Sequence, residues 1–107
     1  MPLLAAITAA LTITVWPQGT DGPSRMHVVR CPRDQVCARL ARVSDPFAPV
    51  PRGIACTQIY GGPQEALVTG RFRGKPVRAH FSRKDGCEIA RWNRVQFLFP
   101  GASTNNR

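Results

Sequence analysis

Four cysteines, at positions 31, 37, 56 and 87, constrain this chain more than any other feature. Their spacing fits no zinc-finger template, so an even number in a small chain reads as disulfides. Three connectivities are open on sequence alone. The short separation favours Cys31 with Cys37, which would leave Cys56 with Cys87 as the long-range tie. In the chain-entropy description the short and long rings contribute about 2 and about 4 kcal/mol, against about 5 to 15 kcal/mol for a whole domain. Such bridges persist in an oxidising compartment, so the expected location is secreted and extracellular.

The 107 residues suffice for one domain, which on folding buries roughly 60 to 70% of its extended surface. Ten prolines and nine glycines spread over the length argue for a loop-rich β or α+β fold, because both residues interrupt helices. Residues 1–10 are apolar and Ala-rich and are expected to be a leader or the remnant of a truncated secretory signal, the alternative being an ordinary N-terminus running into a strand. The apolar stretch, even extended to Val15, is too short and too Thr-rich to span a membrane, and no membrane partner is expected. The domain is expected over 11–100, followed by a disordered polar tail, 101–107.

Apolar and polar residues alternate from Leu11 to Trp16, the period of a strand with one buried face. A second strand is expected from Arg25 to Cys31, antiparallel to the first because the connection is too short for a parallel crossover. Val36, Leu40 and Val43 then fall on one helical stripe, and the spacing predicts a helix over about Asp34 to Val43. Three prolines between Asp45 and Pro51 make a stiff, irregular lead into Cys56. Leu67 to Phe72 and Pro76 to Phe81 read as a hairpin about Arg73-Gly74-Lys75. A short helix is expected within Ser82 to Trp92, and Val95, Phe97 and Phe99 alternate as a fifth strand. The sum is an α+β fold, a five-stranded sheet with one or two short helices on one side.

A formal charge of +9, from 15 Lys and Arg against 6 Asp and Glu, suggests a polyanion-binding module. The basic residues stand singly, however, and no RNA-stacking or zinc-finger motif accompanies them. A nucleic-acid partner is therefore not favoured, and a basic extracellular module for an anionic polymer or nucleic acid is kept as the alternative reading. Enzymatic chemistry has little to work with. His27 and His80 stand in strand alternation, no serine has a nucleophile-elbow setting, and Asp85 with Glu88 suits a helix start. The cysteines are committed to bridges, so neither a thiol nucleophile nor a metal or other cofactor is expected.

The favoured function rests on Val50 to Pro63. Prolines precede it, Gly61-Gly62-Pro63 follow it, and Cys56 pins it to a distant part of the fold. An exposed segment held this stiffly binds without the ordering cost of a free peptide. Cys31, Cys37, the run Pro49-Val50-Pro51-Arg52-Gly53, the stretch Cys56-Thr57-Gln58-Ile59-Tyr60-Gly61-Gly62-Pro63, the turn Gly74-Lys75, and Asp85-Gly86-Cys87-Glu88 with Trp92 follow one another in a recognisable order. From roughly Leu11 to Phe99 the chain resembles the Streptomyces subtilisin inhibitor family. Thr57 stands where the prototype has Pro, and the ring between Cys31 and Cys37 is shorter than usual for the group.

The resemblance implies a five-stranded antiparallel sheet with two short helices, the pairings Cys31–Cys37 and Cys56–Cys87, and frequent dimerisation through a sheet face. It also implies inhibition of an extracellular subtilisin-like serine protease, with Gln58–Ile59 as the reactive bond and Ala55, Cys56, Thr57 and Tyr60 as the contacting loop. Gln58, long and uncharged, suits a broad apolar specificity pocket better than an acidic one. Tyr60 is expected to support the loop from beneath rather than to touch the protease.

Overall fold

The computed structural model describes residues 7–101. Strand β1, Ala9–Trp16, lies inside a sheet of order β2-β1-β3-β4, flanked by β2, Arg25–Cys31, and β3, Glu65–Phe72, with β4, Lys75–Ser82, at the edge. Every neighbouring pair is antiparallel. The alternation in β1 does what its period requires: Leu11, Ile13 and Val15 are buried, while Thr12, Thr14 and Trp16 face the other way, half-buried. β1 starts two residues before Leu11, with Ala9 paired to both Cys31 and Phe72, and Ile7 is buried in the core. Ala9 and Ala10 of the expected leader are thus strand residues; residues 1–6 and 102–107, with most of the expected tail, lie outside the described residues.

β2 has the expected bounds, and the hairpin is real but tighter than expected. Lys75 pairs with Phe72, so the turn is the two residues Arg73 and Gly74, with φ of 53° and 81°. Two left-handed residues match the twist of the flanking strands.

Two sequence expectations are corrected. The first helix, α1, covers only Cys37–Ala41, not Asp34 to Val43. The Asp34 carboxylate accepts the Arg30 backbone N–H at 2.7 Å, and the Asp34 N–H returns to the Arg30 carbonyl. Those bonds, with the Cys31–Cys37 bridge, make a turn of what would have been the first helical turn. The stripe itself is correct, since Leu40 is fully buried and Val36 and Val43 pack on the core.

The second correction removes the fifth strand. Helix α2, Gly86–Val95, runs on into a 3-10 turn, Gln96–Leu98. Trp92, Val95, Leu98 and Phe99 are all buried, a three-to-four-residue recurrence that belongs to helical winding. Alternation would have turned Leu98 outward, yet it is fully buried. The fold is therefore α+β with four antiparallel strands, two short helices and two disulfides.

One face of the sheet carries the core. Phe99 packs 4.7 Å from Trp92 and 5.3 Å from Phe81, ring centre to ring centre. The Trp92 indole N–H is buried with no acceptor among the described residues, a cost that the packing of the ring offsets. The opposite face is open, and Met26 and Val28 project from it at 67% and 45% exposure.

Candidate functional site

The bridges pair Cys31 with Cys37 and Cys56 with Cys87, with Cα atoms 5.6 and 5.3 Å apart. The second joins the segment between α1 and β3 to the first turn of α2. From Ile54 to Gly62 this segment makes neither turn nor bend, and every residue from Pro51 to Tyr60 is exposed except half-buried Cys56. Prolines 49 and 51 fix φ on the way in and remove amide donors that regular structure would need.

Exposure alone would leave a floppy loop; two clamps prevent that. On the N-terminal side of Gln58, the Thr57 carbonyl accepts the Gly86 backbone N–H at 3.0 Å, next to the Cys56–Cys87 bridge. Asp85 caps α2, its Oδ1 accepting the Glu88 N–H at 2.9 Å. The amide of Gly86, one of the donors left over at a helix start, thereby finds its acceptor in the loop. A Cβ on Gly86 would lie 1.9 Å from Thr57 Oγ1, so any other residue there would force the Thr57 side chain to move.

On the C-terminal side the clamp is Arg83. Its backbone carbonyl accepts the Gly61 N–H at 2.7 Å, and its Nε donates to the Gly61 carbonyl at 3.0 Å. Nη1 of the same guanidinium donates to Asn93 Oδ1 at 3.1 Å, and the group lies 6.0 Å from the Trp92 ring centre. Burial lowers the Arg83 pKa from its ordinary value, and the group remains a charged donor. A side chain on Gly61 would meet Ile89 and Arg83, the nearest atom at 2.8 Å.

Gln58, Ile59 and Tyr60 lie between the clamps. Ile59 is 60% exposed and Tyr60 68%. Tyr60 therefore does not pack beneath the loop; the support expected of it comes from Arg83 and Gly61. Ala55, Thr57 and Gln58 are exposed on the same stretch, so the residues singled out from sequence are contiguous and accessible. Further back, Arg91 Nε donates to the Ala48 carbonyl at 3.0 Å and Arg94 donates to the Ser44 carbonyl. The approach to the loop is thus tied along the length of α2.

Sequence reading missed Arg83, Gly86 and Asn93. A signal existed: a bridge from Cys87 to Cys56 obliges the connection Arg83 to Gly86 to run beside the loop. Cys56, Asp85 and Cys87 are close enough together to share an ion, but two of the three are sulfurs bonded to each other and cannot serve as thiolates. His80 pairs with Glu65 across β4 and β3 at 2.8 Å, and the pair lines a shallow pocket shared with Tyr60, Gly62 and Arg83 at the C-terminal end of the exposed stretch. No known protein family, curated protein or solved structure matches the chain.

Proposed function

We propose that this protein is a secreted inhibitor of subtilisin-like serine proteases, with Gln58–Ile59 as its reactive bond. One observation carries the reading: three exposed residues on a stretch with neither turn nor bend, clamped at Thr57 by Gly86 and the Cys56–Cys87 bridge and at Gly61 by Arg83. A protease cleft accepts an extended strand, and a strand already ordered binds without the entropic cost that a flexible substrate incurs.

The clamps also act after attack on the bond. When the protease serine adds to the Gln58 carbonyl and the Ile59 amine is released, both ends stay attached to α2 and to the β4–α2 connection. The amine remains beside the acyl-enzyme and closes the peptide bond again more readily than it departs. Gln58 chooses the target: its neutral amide has no charge to meet an acidic pocket, but fits a broad apolar one. The two disulfides support the secreted part of the reading, since they require an oxidising compartment. No described helix is long and apolar enough to cross a membrane.

Titration of the oxidised protein against subtilisin and trypsin tests this. Stoichiometric inhibition of subtilisin is expected, with weak inhibition of trypsin and slow cleavage at Gln58–Ile59 by mass analysis. Gln58→Lys should bring trypsin inhibition without disturbing the fold. Rapid cleavage of the chain by subtilisin, with no inhibition, would end the proposal.

A further inference from the structure

Pairing gathers charges that the sequence scatters. Arg30 of β2 and Arg71 of β3 both lie opposite Ala10 of β1, about 10 Å apart at two strand spacings. In the next row Arg78 of β4 lies opposite Thr69, itself opposite Thr12. Alternation puts these residues on the open face of the sheet, since their strand neighbours Leu11, Val29 and Ala79 are buried. The hairpin turn adds Arg73 and Lys75 at the same end but toward the other face, Lys75 being paired with Phe72 and the Arg73 guanidinium lying 5.0 Å from the Phe72 ring centre.

None of these cations has a carboxylate partner among the described residues, where the side-chain ion pairs are His80–Glu65 and Arg91–Glu88. The nearby Asp34 carboxylate is bonded to the Arg30 backbone N–H. Beside the arginines the face carries apolar side chains among threonines. Val28 is opposite Thr12, and Met26 and Leu67 are both opposite Thr14, with Met26 and Val28 among the most exposed apolar residues described.

The occupant must use both chemistries. A nucleic acid would meet the arginines but leave Met26 and Val28 idle, and for stacking the face offers Trp16, half-buried, and the His80 imidazole, which is held by Glu65. A second copy, as dimerisation through this face would require, sets arginines against arginines, with Glu65, already held by His80, as the acid available. An anionic lipid layer satisfies both: phosphates meet the guanidinium groups, while Met26, Val28 and Leu67 enter the boundary with the acyl chains. We infer that the open sheet face, at its hairpin end, docks this protein onto anionic lipid surfaces. The attachment is peripheral and needs no spanning segment. It is independent of protease inhibition and would stand if that reading failed.

The test is co-sedimentation of the oxidised full chain with vesicles of phosphatidylglycerol in phosphatidylcholine, and with phosphatidylcholine alone, at rising salt. Binding to the mixed vesicles only is expected, weakening as salt screens the charges. The variant Arg30→Gln/Arg71→Gln/Arg78→Gln should bind on the order of a hundredfold more weakly, about fivefold per charge near the surface. Arg25→Gln/Arg39→Gln/Arg42→Gln, with the same net charge, should lose far less. Met26→Ser/Val28→Thr should weaken vesicle binding severalfold while leaving any binding to a single-stranded oligonucleotide unchanged. Near-UV circular dichroism checks each fold, and Arg78→Gln alone decides if the triple variant is misfolded.

Equal losses for both charge variants would overturn the proposal as mere net-charge attraction. Equal binding to phosphatidylcholine alone would also overturn it. Tighter binding to the oligonucleotide, indifferent to Met26 and Val28, would assign the face to a polymer instead. A micromolar dimer that loses its self-association with Met26→Ser/Val28→Thr would assign it to a second copy.

Discussion

Arg83 does at one position what the loop needs from two. Its carbonyl and its Nε hold both polar groups of Gly61, and Asn93 together with the Trp92 ring fixes the guanidinium that does so. A hydrogen bond from a charged donor contributes about 1.5 to 3 kcal/mol, and partial exposure of the pair reduces this towards the lower end. Arg83→Ala is accordingly expected to weaken subtilisin binding by about tenfold and to raise the rate of cleavage at Gln58–Ile59. Arg83→Lys keeps the charge but not the fork, and should recover only part of the loss. The measurements are the inhibition constant and the cleavage rate of the variant beside its thermal midpoint. A lowered midpoint with both protease constants unchanged would make Arg83 a stabilising residue with no part in the loop. Gln58 and Cys56 were legible in the sequence because prolines, glycines and a cysteine surround them. The role of Arg83 was not, since the Cys56–Cys87 pairing places its connection beside the loop but a lone arginine after a strand does not say which groups its side chain holds.

Helix α2 is the rail on which the candidate site is mounted. Asp85 caps it, Gly86 and Cys87 receive the loop, and Arg91 and Arg94 hold the approach. Opening the lower attachment should therefore change the outcome of an encounter with a protease, not only the stability. The double variant Cys56→Ala/Cys87→Ala is expected to lose up to about 4 kcal/mol, the chain-entropy contribution of the long ring. Under conditions where it stays folded it should be cut at Gln58–Ile59 as a substrate, whereas Cys31→Ala/Cys37→Ala should lose about 2 kcal/mol and still inhibit. Equal inhibition by both double variants would show that the Cys56–Cys87 bridge has no mechanical role. At this scale the strands were the legible part: β2 and the hairpin follow from alternation bounded by turn residues. The C-terminal segment was not, because Val95, Phe97 and Phe99 satisfy a period of two as well as Trp92, Val95 and Phe99 satisfy a helical one. Burial of Leu98 decides between them, and burial is a property of the packed chain.

Across the whole molecule the open-face arginines and the clamped loop lie toward opposite ends of the sheet, with Met26 and Leu67 in the rows between them. β3 begins at Glu65, just past the clamped loop, and ends at Phe72 beside the cationic hairpin turn, a run of about 23 Å at strand rise. Sites so far apart with no shared side chains are expected to act additively. The arginines were all visible in the sequence, but their grouping depends on register, and a one-residue slip in β1–β3 pairing would turn Arg71 to the buried face. The separation leads to a combined prediction: protein docked on phosphatidylglycerol vesicles should still capture subtilisin, so that the protease sediments with vesicles only when the inhibitor is present. Arg30→Gln/Arg71→Gln/Arg78→Gln should abolish that co-sedimentation while inhibiting free subtilisin with an unchanged constant. Loss of inhibition on the vesicle would place the loop against the lipid and the docking surface elsewhere, because a loop at the far end of β3 has no reason to be covered by a layer meeting the hairpin.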